Sequence, residues 1–240
     1  MSRADSAAEL DRLLARRREL AQRAAAAPVA ARLRELRAWQ AARLARTYED
    51  LGADPLAGDA VRFFLSDLYG PQELAHRDQD LTRAWRLLKR ALPPRVLEAL
   101  SMAMELDALS AELDLEMAQR LPAGPLTAKV YAETYRAVGR SEARGHQIGL
   151  IVELGKALAR AVRTPLVGLA LRAAHGPAHL AGFDALQDFL ERGFAAFQRL
   201  PDAAELLTTI DERERQLMKI LLAGGTIAAD EPAAGAGGAA

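Results

Sequence analysis

The residues that could do chemistry in this sequence are few, and their spacing excludes most of what they could do. There is no cysteine, which removes disulfides, thiolate metal sites and a cysteine nucleophile. The four histidines are His76, His146, His175 and His179. A helical di-metal site needs paired Glu-x-x-His motifs and two further acids. Glu73 to His76 is one such match, and it falls in an expected loop; Glu142 to His146 has the wrong spacing. His-Glu-x-x-His is absent. His175 and His179 stand four apart, as a zinc-ligand pair on one helix would. However, Gly176-Pro177 is expected to break the helix between them, so they need not share a face. No Gly-x-Ser-x-Gly elbow or glycine-rich phosphate loop is present, and Arg140-Ser141-Glu142 reads as a helix start. We therefore expect no catalytic residue set, no metal and no cofactor.

Three positions still carry a sharper reading. On a helix starting at Pro177, His179 projects onto the face of Phe183, Leu186, Leu190, Phe194 and Phe197. It is the one weak candidate for holding haem or a ligand at the mouth of an apolar pocket; the plainer reading is a helix-start histidine edging an aromatic core. Asp67, in the segment FFLSDLYGP, lies one turn from Phe63 and Phe64. A carboxylate there needs a partner, such as a helix N-terminus or an arginine among Arg62, Arg77 and Arg83. Asp107 shares a stripe with Ser110 and Asp114 among alanines, the better candidate stripe for partly buried polar groups. Asp67, Arg77, Asp78 and Asp107 are thus the expected buried polar residues, with a catalytic carboxylate as the less favoured alternative.

The elements that must position these groups are helices. Alanine, leucine, arginine and glutamate dominate, and all favour helix. Prolines at 28, 94, 165 and 177 sit where first-turn prolines belong, and glycines at 52, 70 and 139 where helices stop. The pattern predicts about ten helices, over roughly 5–26, 28–50, 57–69, 78–91, 94–120, 127–138, 142–162, 165–174, 177–199 and 202–222. Thr127, Thr164, Asp202 and Asp78 are expected N-caps. At about 100° per residue, the 94–120 helix is apolar on two nearly opposite faces. One holds Leu97, Leu100, Met104, Ala108, Ala111 and Leu115; the other holds Met102, Leu106, Leu109, Leu113 and Met117. Such a helix is sandwiched between neighbours. Its stripe of Glu98, Glu105, Glu112 and Glu116 reads as solvent-facing.

The block FFLSDLYGP followed by RDQD at Arg77 to Asp80 resembles a family of uncharacterised bacterial all-helical proteins. YRAVGR (Tyr135 to Arg140) and LQDFLERGFAAF (Leu186 to Phe197) are similar to stretches of the same family. The resemblance spans roughly residues 36–215 and implies no activity, cofactor or site; only Asp67, Arg77 and Asp78 carry over as matches to its pattern.

The chain of 240 residues is half hydrophobic, with 32 lysines and arginines against 32 acids. That balance lacks the basic surplus of a nucleic-acid binder. No run approaches a membrane span, and no signal-peptide core opens the chain, so a cytoplasmic protein is expected. The expected organisation is a charged helical hairpin over 1–52, a main helical domain over 53–223, and a disordered tail over 224–240. The fold class is all-α, a layered or orthogonal multi-helix bundle around the 94–120 helix. The favoured function is a non-enzymatic interaction or scaffold protein, homo-oligomeric or bound to a protein partner through the N-terminal hairpin. The alternatives are a helical pocket for an apolar ligand or haem, and an enzyme using buried carboxylates.

Overall fold

The computed structural model describes residues 3–25, 29–55, 57–63, 94–180, 184–200 and 202–227. Among the described residues there is no strand, and ten helices follow one another. They are α1 (Arg3–Ala24), α2 (Val29–Thr47), α3 (Glu49–Gly52), α4 (Gly58–Phe63) and α5 (Pro94–Arg120). Then come α6 (Ala128–Val138), α7 (Ser141–Val162), α8 (Pro165–Leu180), α9 (Asp184–Gln198) and α10 (Ala203–Leu222). Asp67, Arg77, Asp78 and the expected 78–91 helix lie outside the described residues.

Local signals set most boundaries. Pro94 and Pro165 open α5 and α8, where a missing N–H is harmless. The Thr127 hydroxyl accepts from Val130 N–H at 3.2 Å, and the Asp202 carboxylate from Ala204 N–H at 2.8 Å. Gly139, at φ +66°, ends α6. Thr164 does not cap with its side chain: its hydroxyl donates back to the Arg160 carbonyl at 3.3 Å, and its own carbonyl accepts from Val167 N–H.

The boundary expected at Gly176-Pro177 is a correction. Helix α8 runs through Pro177 to Leu180, and the next helix starts at Asp184 rather than 177. An internal proline removes one helical hydrogen bond. Here the orphaned carbonyl belongs to Ala173; both Ala173 and Pro177 are exposed, and the helix continues past them.

Helix α5 is the centre of the molecule, and its two apolar faces have separate neighbours. Leu100 and Met104 pack on Leu10, Leu13 and Leu14 of α1, and Ala111 and Leu115 on Leu20. The pairing advances in the same direction along both chains, so α1 lies parallel to α5. The opposite face, Leu106, Leu109 and Leu113, joins the main core with Leu44 and Tyr48, Leu150, Ile151 and Leu154 of α7, Phe197 of α9, and Leu206, Leu207 and Ile210 of α10. Met117 and Ala118 join a second core with Leu33, Leu36, Tyr131, Tyr135 and Leu221. Helix α2 runs antiparallel to α5, since Arg37 meets Asp114 while Arg32 meets the Pro122 and Gly124 carbonyls. The apolar stripes of α1 and α2 are therefore covered within the chain.

The glutamate stripe of α5 is solvated only in part: Glu98 is exposed, while the other three have partners. Glu112 pairs with Arg16 of α1 and with Arg140, Glu116 with Arg140, and Glu105 with His146 of α7 at 2.7 Å. Two helices flank this stripe and bring their cations to it, which periodicity along α5 alone does not reveal. Arg140 reaches both acids from a left-handed backbone, φ +59°, directly after Gly139, so the YRAVGR stretch is the tight corner between α6 and α7.

Glycines let helices approach closely at three crossings. A Cβ on Gly155 of α7 would stand 2.3 Å from Leu207, one on Gly168 of α8 2.9 Å from Phe194, and one on Gly193 of α9 2.7 Å from Phe63.

Candidate functional site

Extension of α8 through Pro177 puts His175 and His179 one turn apart on the face turned to α9, with ring centroids 4.4 Å apart. Helix α9 supplies acids at matching positions. His175 Nδ1 lies 2.9 Å from Glu191 Oε1 and His179 Nδ1 2.6 Å from Asp184 Oδ1. Asp188 stands 3.5 Å from His179 Nε2. The buried Gln187 amide donates to the Leu171 carbonyl at 2.9 Å and to Glu191 at 2.7 Å. These two donors, Gln187 first and then His175, hold the Glu191 carboxyl below its ordinary value. His179 thus belongs to the last turn of α8. Phe194 and Phe197 lie on a different helix, α9, with Phe194 against Gly168. Among the described residues, no three histidines, aspartates or glutamates are placed to hold a metal ion.

A second polar centre, which the sequence does not announce, lies between α2, α6, α7 and α10. Arg43 makes a two-pronged pair with Glu214 at 2.6 and 3.1 Å, and the Tyr48 hydroxyl donates to the same carboxylate at 2.9 Å. Burial opposes the Arg43 charge, but the pair with Glu214 outweighs it and raises the arginine above its ordinary value. Beside it, Trp39 stacks on Tyr131 at 4.0 Å, and the Arg144 guanidinium lies 3.6 Å over the Tyr135 ring while donating to the Gly139 carbonyl. Burial pushes the Tyr135 phenol up to about 12 and raises Tyr131 and Tyr48 as well, with Glu214 adding to the Tyr48 shift. Asp114 accepts from Arg37 and Gln40, each at 3.2 Å; burial nonetheless raises its carboxyl above the usual range. Asp107 is partly buried and bonded to Arg17 at 2.6 Å, and Ser110 accepts from Gln147 at 2.7 Å.

At the edge of this centre, Arg213 grips Asp50 with both nitrogens, at 2.8 and 2.6 Å, and lowers that carboxyl to about 2. A shallow groove of about 420 Å³ lies alongside, with Thr47, Gln216, Leu217 and Ile220 in its walls. Its charged walls are Glu212 and Arg213. No general acid and base face each other across it.

The third feature is α8 itself. It is among the most apolar helices in the chain, yet the only residue it buries is Gly168. One face holds α9 through the histidines. The other presents Leu166, Leu169, Ala170, Ala173, Pro177 and Leu180, which helical spacing puts in one stripe. All six are exposed, Leu180 at 93%, Leu166 at 72% and Leu169 at 57%. Leu190 of α9 is also exposed. The sequence contained this signal: between Glu153 and Asp184 there is no acid, and α8 itself carries one arginine. A stripe of that composition reads as core until a fold shows which side is covered.

No curated protein and no solved structure matches the chain. Residues 19–227 match a family described as a domain of unknown function, DUF8198. That match covers most of the chain, including every helix from α2 to α10, and the protein belongs to this family.

Proposed function

We propose that this protein works by binding another macromolecule through the exposed apolar stripe of α8, as an interaction or scaffold protein rather than an enzyme. The observation that carries the reading is the orientation of α8, whose histidines are turned to α9 and whose Leu166, Leu169 and Leu180 are exposed. A contiguous exposed apolar patch of this kind marks interaction surfaces. The stripes of residues 10–44, the other place for a partner, are covered within the chain, that of α1 by α5 and that of α2 by α5 with α6, α7 and α10. The enzyme reading draws less support, since Asp107 and Glu214 are engaged by Arg17 and by Arg43 with Tyr48. The haem reading rests on His179, which has Nδ1 held by Asp184 at 2.6 Å, while the buried Nε2, 3.5 Å from Asp188, makes no hydrogen bond. The absence of cysteine suits work in a reducing cytoplasm.

The test is native mass spectrometry of tagged protein from its own cells, beside the double variant Leu166→Lys, Leu169→Lys. The wild type should carry a stoichiometric added mass, of itself or of a partner, that the variant loses while its circular dichroism is unchanged. A bare wild-type monomer would sink the proposal.

A further inference from the structure

The face of α8 turned to α9 has a chemistry of its own, separate from the exposed leucines. We propose that His175 and His179 of α8, with Asp188 of α9, bind a divalent transition-metal ion of the zinc class, which clamps the two helices together. Two histidines four residues apart chelate a metal when they share one helix face. The continuation of α8 through Pro177 puts these two on one face, with ring centroids 4.4 Å apart. Each ring is held as a metal ligand is held. Nδ1 of His175 lies 2.9 Å from Glu191, and Nδ1 of His179 lies 2.6 Å from Asp184. A carboxylate on one ring nitrogen fixes the tautomer and leaves the lone pair of the other, Nε2, for a metal.

In His179 that second nitrogen has no partner. Nε2 is buried and makes no hydrogen bond, although Asp188 Oδ1 stands 3.5 Å away. The separation is long for a hydrogen bond, but it suits two ligands of one zinc ion. With bonds of about 2.0–2.1 Å at a tetrahedral angle, the nitrogen and the oxygen stand about 3.4 Å apart. Among the described residues no third ligand stands at that point as the side chains lie. His175 is exposed and one turn away, so rotation of its side chain supplies the third ligand and water the fourth. Asp184, Asp188 and Glu191 together give the site a negative charge that the cation offsets. Imidazole ligands select zinc, copper or nickel over magnesium and calcium. Asp188 in front of Nε2 suits a bare cation, not the face of a porphyrin.

The full chain, purified without a histidine tag and stripped with a chelator, is titrated with zinc chloride by calorimetry. One equivalent should bind with a dissociation constant on the order of 1–10 μM, and magnesium chloride should give no saturable heat. His179→Gln and His175→Gln should each weaken zinc binding by about tenfold or more. Asp184→Asn, which alters only the group that orients His179, should weaken it by about tenfold. His146→Gln on α7 should bind as the wild type does, and all four variants should keep the helical spectrum. Nitrogen-15 NMR of the wild type reads the site without any substitution, since zinc should shift the Nε2 signals of His175 and His179. Absence of saturable zinc binding below about 100 μM, binding retained by both histidine variants, magnesium binding as tight as zinc, or NMR shifts confined to other histidines would each overturn the proposal.

Discussion

Arg43 and Glu214 are separated by 171 positions in the chain, and nothing in their local sequence distinguishes them from the arginines and glutamates around them. Only folding makes them a nearly buried pair, with side chains 10% and 15% exposed. Breaking such a pair from one side leaves an uncompensated charge. Glu214→Ala, which strands both Arg43 and the Tyr48 hydroxyl, should therefore lower unfolding stability by about 3–5 kcal/mol in urea titrations. Glu214→Gln, which keeps an acceptor, should lose less. A loss below about 0.5 kcal/mol for the alanine variant would mean the pair does not hold α2 to α10. His179 teaches the same lesson at closer range. Its partners depend on whether α8 ends before or after it, and α8 runs past Pro177 to Leu180.

At the scale of the element, helix α5 is where pattern and packing agree most directly. Two apolar faces along one helix demand two sets of neighbours, and α1 supplies one while α7, α9 and α10 supply most of the other. Leu13→Ala on the α1 side and Leu109→Ala on the core side should each cost about 2–4 kcal/mol, with additive effects because the sites lie on opposite faces of α5. Additive losses in chemical denaturation check this; a negligible effect at Leu13 would mean that α1 is loosely held. The glycines at 155, 168 and 193 act at this scale too. Each forgoes about 1 kcal/mol of helix propensity relative to alanine, and each sits where a neighbouring Leu207, Phe194 or Phe63 occupies the space of a side chain. The familiar LQDFLERGFAAF stretch is explained by such contacts: Gln187 and Glu191 bind α8, Gly193 receives Phe63, and Phe197 enters the core.

For the whole molecule, the buried tyrosines predict how stability depends on pH. Tyr48, Tyr131 and Tyr135 are raised above the unfolded value of about 10, Tyr135 to about 12. The fold favours the neutral phenol. Its contribution is fully present below pH 10 and is lost as pH rises through 12, because the unfolded chain ionises first. Urea midpoints should fall steadily from pH 9.5 to 11.5, and in Tyr135→Phe the fall should be smaller; a flat profile would refute the buried assignment. By itself, the sequence determined the helical class, the ends of α5, α6 and α10, and the sandwiched central helix. Those follow from propensity, capping and a 3.6-residue period, all of which act over a few neighbouring residues. Tertiary structure alone decided that α1 and α2 straddle α5, that Glu105, Glu112 and Glu116 of its acidic stripe are paired, that Arg43 meets Glu214, and that the apolar side of α8 faces outward. Periodicity tells which residues share a face, but which face is covered depends on partners brought from far along the chain.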